Sequence, residues 1–418
     1  MDIVLAKLAI CGLCTLLIIL AFVREKLIGK LAEGMPPLVW ISGLWALFRL
    51  VPFLVIFIFM GISPTSDVNG FWYMAENAAA GKLVYRDFWS PYSPFYSYLL
   101  AMGAIAWNNP KVIVLIMLVM EGAAVALSYF FYRPVLAKAT FCFRSLIYFI
   151  LPGSLILCVL GAQEDIWIWL FFALAVLVRR KTGSVILYSF VLALGILTTK
   201  AIFVLFLVPL FLVEKDKIRF CWPLALSGAV SVALLYATVG TEFLQPVGEA
   251  GTLRAPNIVS VINPWLFDSV GMGKSFWNWV GLLCTLAVGS AAALKSRNED
   301  FTISASKAFV VMYATLMIVQ QSAYSNYIFI FLLPFTLVLT DFGNRKLVAA
   351  LLIYNILCTV HPSFWWRSGM PKYYSPADIF RNTTSVADYF MQLSIVLLTA
   401  GLIAYTLKLK PGSVKRIG

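Results

Sequence analysis

The chain has 418 residues, 61% of them hydrophobic and 12% charged, with a mean hydropathy of +0.90; shares this far from those of water-soluble domains exclude an ordinary soluble protein. The formal net charge of +13 is accounted for by Lys and Arg held on the cytoplasmic side of a multispan protein, and no nucleic-acid partner is implied. Cys11, Cys14, Cys142, Cys158, Cys221, Cys284 and Cys358 all lie in apolar runs, so neither a zinc site nor a disulfide framework is expected.

Residues 4–23 read as a retained helix with its N-terminus outside. No basic region precedes the run, no small-residue cleavage pattern follows it, and Arg24, Glu25 and Lys26 come directly after. A second span, about 38–62, leads to the most polar island of the chain, residues 63–93, where Asp67, Glu76, Lys82, Arg86 and Asp87 stand among seven aromatic side chains. Residues 94–107 are short for a span, and charge decides their placement. If they lie along the interface, helices at about 111–132, 145–160, 166–178, 184–198, 201–213, 220–239, 276–294, 301–322, 325–340, 345–360 and 388–407 place every basic loop inside. Those loops carry Arg133, Lys138 and Arg144; Arg179, Arg180 and Lys181; Lys215, Lys217 and Arg219; Lys295 and Arg297; Arg345 and Lys346; and Lys408, Lys410, Lys415 and Arg416. If they cross, all of these face outward. The first arrangement obeys the positive-inside rule throughout. It predicts an all-α polytopic membrane protein, one membrane domain over residues 1–418, with about thirteen helices and interfacial helices in the first large external loop.

Four external segments follow: 63–110, the turn 161–165, the loop 240–275 and the aromatic loop 361–387. In the first, Asp67 stands just beyond a span, where its carboxylate can accept the proton of an attacking hydroxyl; an Asp there can equally cap a helix beginning near Gly70. Glu164 and Asp165 sit between two apolar runs, a costly position unless they are paired, facing water or functional, though acidic residues also suit a helix N-terminus. Lys200 and Arg254, near the external surface, are placed to hold a lipid phosphate or to snorkel toward headgroups. Arg49 and Glu121, both mid-span, are expected to pair, because an isolated charge at that depth is expensive. His361 opens the last external loop, and a surface position is expected for it.

The external loop with Asp67, its run Gly81-Lys82-Leu83-Val84-Tyr85-Arg86-Asp87-Phe88 and Tyr92-Ser93-Pro94, the turn Gly161-Ala162-Gln163-Glu164-Asp165, and the end Leu197-Thr198-Thr199-Lys200 resemble the GT-C superfamily of membrane glycosyltransferases, most closely its polyprenyl-phosphate mannosyltransferase relatives. The resemblance covers roughly 38–275, a GT-C-like catalytic module; residues 276–418 match in number and character of helices alone. It implies an inverting transfer of mannose or another hexose from a polyprenyl-phosphate sugar donor to a lipid-linked or glycan acceptor. Asp67 would be the base, and Lys200 and Arg254 would stabilise the departing lipid phosphate. Gln163, Glu164 and Asp165 would hold sugar hydroxyls or position the acceptor. Many relatives carry two acidic residues flanking one position in the first loop; here Ser66-Asp67-Val68-Asn69 offers a single carboxylate, so no metal is expected, and no cofactor. The site would face away from the cytoplasm in the plasma or inner membrane, or the endoplasmic reticulum lumen in a eukaryote. Two other classes share the hydropathy: a lipid or glycan transporter using Arg49 and Glu121 on a pathway, and an O-antigen-type polymerase or ligase in which His361, Arg367 and Arg381 would matter more than Asp67.

Overall fold

The computed structural model describes residues 3–266, 268, 270–271 and 274–409. Lys410, Lys415 and Arg416 of the last basic cluster lie outside the described residues. Within the described residues every regular element is a helix, accompanied by an isolated bridge between Val84 and Phe88.

Among the described residues, eight helices are long and apolar enough to cross a membrane: Ile3–Val23, Pro37–Phe59, Lys111–Tyr132, Lys217–Gly251, Ser275–Lys295, Phe301–Val319, Arg345–Arg367 and Thr383–Lys408. A ninth is added if Lys138–Ile150 and Pro152–Leu160, bent by 62° at their junction, form one span. Their number and apolar character mark a multi-pass membrane protein. Trp167–Thr182, Pro94–Ala106, Val185–Thr198, Ala201–Val213 and Ser325–Leu339 are shorter. At a rise of about 1.5 Å per residue they fall below the ~30 Å of a hydrocarbon core, which is where the count parts from thirteen.

Helix boundaries follow local chemistry. Pro37 and Pro94 stand at the first helical positions of their helices, where a missing N–H costs nothing. Trp167–Thr182 ends on Gly183 in the left-handed region (φ 69°), and the next helix starts with the Ser184 hydroxyl accepting from Leu187 N–H. Asp216 and Asn382 cap in the same way, accepting from Arg219 and Ser385 N–H.

The described residues divide into two compact units, one formed by 25–149 and 157–247, the other by 3–24, 150–156 and 248–409. The 38–275 module contains parts of both. In the first unit Trp167–Thr182 packs against Lys111–Tyr132 and Val185–Thr198, and the polar island folds as Asp67–Ala79 against Pro94–Ala106. Close approach of the Val185–Thr198 helix depends on Gly195: a Cβ there would lie 2.6 Å from Phe171 Cβ and 2.7 Å from the Phe203 ring. In the second unit Phe301–Val319 is the central helix, 94% buried over its apolar window, whereas the window in Ile3–Val23 is 17% buried and leaves Leu13, Leu16 and Ile19 outward. An outward face of this kind suits lipid and not water.

Arg49 and Glu121 pair as the sequence predicts. Arg49 Nε and Nη2 donate to Glu121 Oε2 and Oε1 at 2.5 and 2.8 Å, with both side chains fully buried. The helix around Arg49 widens to a π-turn over Ala46–Leu50.

Candidate functional site

In the first unit the structure brings together five of the six residues singled out in the sequence. The Asp67–Ala79 helix starts at Asp67 itself, one turn earlier than Gly70, and the residue ahead of it, Ser66, has a left-handed backbone (φ 64°). The Asp67 side chain turns outward from this helix start: it is exposed, and its Oδ2 accepts a 2.5 Å hydrogen bond from Gln163 Nε2. Gln163 Nε2 also donates to Gly161 O at 3.1 Å. Two acceptors on one atom settle which end of the amide is nitrogen. Gln163 is presented by a tight turn: its N–H bonds Leu157 O at 3.0 Å, Ala162 is left-handed (φ 47°), and a Cβ on Gly161 would lie 2.8 Å from Leu157 O. Strained backbone thus flanks both ends of the Asp67–Gln163 contact, a pattern that concentrates at functional sites.

The same turn buries Glu164 and Asp165, at 1% and 0% exposure. Lys200, at the end of the Val185–Thr198 helix, reaches both. Its Nζ donates to Asp165 Oδ1 at 2.6 Å and lies 2.7 Å from Glu164 Oε1 in an ion pair without hydrogen-bond alignment. Tyr92 covers the group from the loop side: Lys200 Nζ lies 5.6 Å from the Tyr92 ring centre, and Tyr92 stacks on Tyr96 at 4.2 Å. Tyr96 in turn leans on Trp167 at 5.5 Å, and Phe71 meets both tyrosines edge-on. Ser93 N–H bonds Thr199 O at 3.1 Å, pinning this loop beside Lys200. Lys82 bonds Asn77, and Asp87 receives Arg86 and the Leu83 N–H, so these charges shape the loop.

Three carboxylates, Asp67, Glu164 and Asp165, therefore face one ammonium in this cluster. Glu164 Oε2, Asp165 Oδ2, Tyr96 Oη and Trp167 Nε1 are buried without a hydrogen-bond partner. Orphaned polar atoms are rare, and four around one turn mark a place built to receive polar groups. The unmet acceptors want hydroxyl donors, and the surplus negative charge opposes a phosphate. Lys200 is thus ion-paired with both Glu164 and Asp165. Tyr96 and Trp167 were missed in the sequence, and Tyr92 entered only as part of the Tyr92-Ser93-Pro94 run, without a role; the tyrosine pair at i, i+4 astride Pro94 was a further signal.

Burial pushes the Asp165 carboxyl above its ordinary value of 3.8, with Lys200 opposing and Glu164 adding to the shift. The folded state then holds a proton there that the unfolded chain has lost, so stability falls as pH rises above 3.8. Asp165→Asn is expected to flatten that decline in melting temperature, measured in detergent across the acid-to-neutral range; an unchanged slope would refute the assignment.

Arg254, the sixth residue, belongs to the second unit. Its Nη2 donates to Glu249 Oε2 at 3.0 Å, its guanidinium lies 4.4 Å from the Tyr324 ring centre, and its Nε is buried without a partner. It lines a small open cavity with Lys372, Trp365, Tyr373, Ser260 and Gln392. His361 is not at the surface. The Arg345–Arg367 helix continues through Pro362 past the expected end at 360 and carries His361 inward to zero exposure, 3.3 Å from the equally buried Asp388.

No protein-family model matches the chain, and comparison with curated proteins finds no relative.

Proposed function

We propose that the chain is a membrane glycosyltransferase that takes a sugar from a lipid-phosphate donor, with the site around Asp67 facing away from the cytoplasm. The observation that carries this reading is the exposed Asp67 carboxylate, fixed by Gln163 beside a buried, acceptor-rich cluster. Asp67 takes the proton of an acceptor hydroxyl as its oxygen attacks the anomeric carbon. The bond from that carbon to the phosphate oxygen breaks with its electron pair, and the configuration inverts. Glu164 and Asp165, held by Lys200, accept hydrogen bonds from hydroxyl groups of sugar or acceptor, and the Tyr92–Tyr96 stack offers an aromatic face to a sugar ring. The resemblance to GT-C enzymes supports the donor class, and so does the positive-inside count, since an external site has no access to cytoplasmic nucleotide sugars. Lys200 and Arg254, the two cations that the resemblance assigns to the lipid phosphate, each already face carboxylates, Glu164 and Asp165 for Lys200 and Glu249 for Arg254. The sugar is mannose or a related hexose, and the acceptor a lipid or glycan hydroxyl.

The purified chain in detergent, given synthetic polyprenyl-phosphate mannose and alcohol acceptors, is expected to release polyprenyl phosphate. If no lipid-phosphate sugar is consumed under any acceptor, the class is wrong. In the polymerase or ligase class, His361, Arg367 and Arg381 variants would lose activity while Asp67 variants keep it.

A further inference from the structure

Within the cluster around Glu164 and Asp165, Tyr92 is the aromatic residue that meets solvent: it is half-buried, whereas Phe71, Tyr96 and Trp167 are buried. The Tyr92 ring lies flat on Tyr96, with 4.2 Å between ring centres and 19° between planes, and Phe71 meets both rings edge-on. Lys200 Nζ lies 5.6 Å from the centre of the Tyr92 ring while paired with Glu164 and Asp165, so the ring stands close to the carboxylates. Burial, with Glu164 the first of the neighbouring charges, holds the Tyr92 hydroxyl well above its ordinary value of 10.0. In the same cluster Glu164 Oε2, Asp165 Oδ2, Tyr96 Oη and Trp167 Nε1 are buried without a hydrogen-bond partner. The backbone at Tyr92 is tied down. Its N–H donates to Ser90 Oγ at 3.2 Å, its carbonyl accepts from Tyr85 Oη at 2.5 Å, and Ser93 N–H bonds Thr199 O at 3.1 Å. The side chain is the part left to turn.

We infer that the Tyr92 side chain fills a pyranose-binding subsite, and that a sugar ring enters by displacing it and stacking on Tyr96. The inference rests on the reading of this cluster as the sugar site and deepens it: the ring takes the Tyr96 face that Tyr92 now covers, and its hydroxyls take the unpartnered atoms. A phenol ring and a pyranose ring are similar in breadth, and each can lie flat against an aromatic side chain. Their polar groups differ. A phenol brings one hydroxyl to a cluster with four unmet polar atoms. A pyranose brings several, each able to donate to Glu164 Oε2 or Asp165 Oδ2 and to accept from Tyr96 Oη or Trp167 Nε1. Exchanging one ring for the other keeps the stack and turns buried, unpaired atoms into hydrogen-bonded ones, which is the differential interaction that a displacement requires. Because Tyr92 competes for the subsite, apparent sugar affinity is lowered by the fraction of molecules in which its ring is in place. Tyr96 and Trp167 are thereby specificity-determining residues, and Tyr92 is a displaceable cover.

The test titrates the full chain, in a non-ionic detergent without a sugar headgroup, with methyl α-D-mannopyranoside and reads binding by thermal shift. Sorbitol at equal concentration is the reference, because an open-chain polyol stabilises by exclusion without offering a ring. Tyr92→Ala is expected to bind the mannoside about tenfold more tightly than wild type, the gain from removing a ring that fills the subsite in about nine molecules of ten. Tyr92→Phe keeps the cover and should bind as wild type does. Tyr92→Trp, which removes no packing, enlarges the cover and should bind more weakly. A residue that served as a stacking platform would give the reverse order, with Ala weaker and Trp equal or tighter, and that order overturns the inference. Equal shifts with sorbitol and mannoside in both wild type and Tyr92→Ala overturn it as well. In the Tyr92→Ala background, Tyr96→Phe keeps the face, loses one donor and should weaken binding about two- to tenfold, the worth of one neutral hydrogen bond; unchanged binding removes Tyr96 Oη from the subsite. If polyprenyl-phosphate mannose is never consumed while Tyr92→Ala binds the mannoside more tightly, the enzyme class falls and the subsite stands. If transfer proceeds while Tyr92→Ala binds no more tightly than wild type, the subsite falls and the class stands.

Discussion

Asp67→Asn is expected to lower the rate of sugar transfer by about 10²–10⁴, the range for losing a positioned general base, with substrate affinity and melting temperature close to wild type. The substitution is nearly isosteric, and the amide oxygen can still accept from Gln163 Nε2, so the contact between positions 67 and 163 survives. Asp67 is exposed, and its neighbour Ser66 supplies the strained entry to the helix; neither depends on the carboxylate charge. What is lost is the ability to take a proton as the acceptor oxygen attacks. An interaction needed only in the transition state lowers the turnover number and leaves KM alone. Single-turnover transfer from polyprenyl-phosphate mannose reads this directly, and an Asp67→Asn variant that transfers at the wild-type rate removes Asp67 from the chemistry. Asp67→Glu tests position separately: its longer arm moves the base by about one C–C bond while keeping its chemistry, so a partial loss is expected, because misplacement on the 1 Å scale is itself costly.

How much of this was legible in the sequence differs by element. Lys111–Tyr132 matches its predicted limits, and most other apolar helices match within a few residues, because an apolar run bounded by charge has one solution in a bilayer. The Arg49–Glu121 pair was legible for the same reason: two opposite charges at one depth leave little choice. The depth of His361 was not. The expected helix ended at 360, yet it runs on through Pro362 to Arg367, and burial beside Asp388 depends on a helix beginning sixteen residues beyond Arg367 that no local pattern near His361 announces. The grouping of Gln163, Glu164 and Asp165 with Lys200 was readable as a set of boundary residues, but its consequence was not. Seen in sequence, Lys200 is a surface cation fit for phosphate; in the fold two carboxylates claim its ammonium. The aromatic partners Tyr96 and Trp167 were hidden because an aromatic in an apolar helix reads as core, and their orphaned polar tips exist only once the chain is packed.

Removing one partner of the Arg49–Glu121 pair should be the most destabilising single change in the first unit. Besides its two bonds to Glu121, the Arg49 guanidinium donates to Phe48 O and Phe149 O at 2.9 and 3.0 Å, and Tyr148 Oη donates to Glu121 Oε1 at 2.9 Å. Glu121→Ala leaves a fully buried guanidinium without its counter-charge and should cost about 3–5 kcal/mol, as breaking buried pairs does; the expected result is poor recovery of folded protein from the membrane. Glu121→Gln keeps an acceptor for Arg49 and should lose less. The double replacement Arg49→Met with Glu121→Met removes both charges together and restores similar volume with apolar atoms, so it should regain most of the stability that either single change loses. The double variant also separates scaffold from pathway. If the pair only holds the Pro37–Phe59 and Lys111–Tyr132 helices together, the double variant recovers transfer activity along with its melting temperature. If it recovers the fold and still fails to act, the charges themselves are used, as the transporter class requires, and the glycosyltransferase reading loses its claim that this pair is structural.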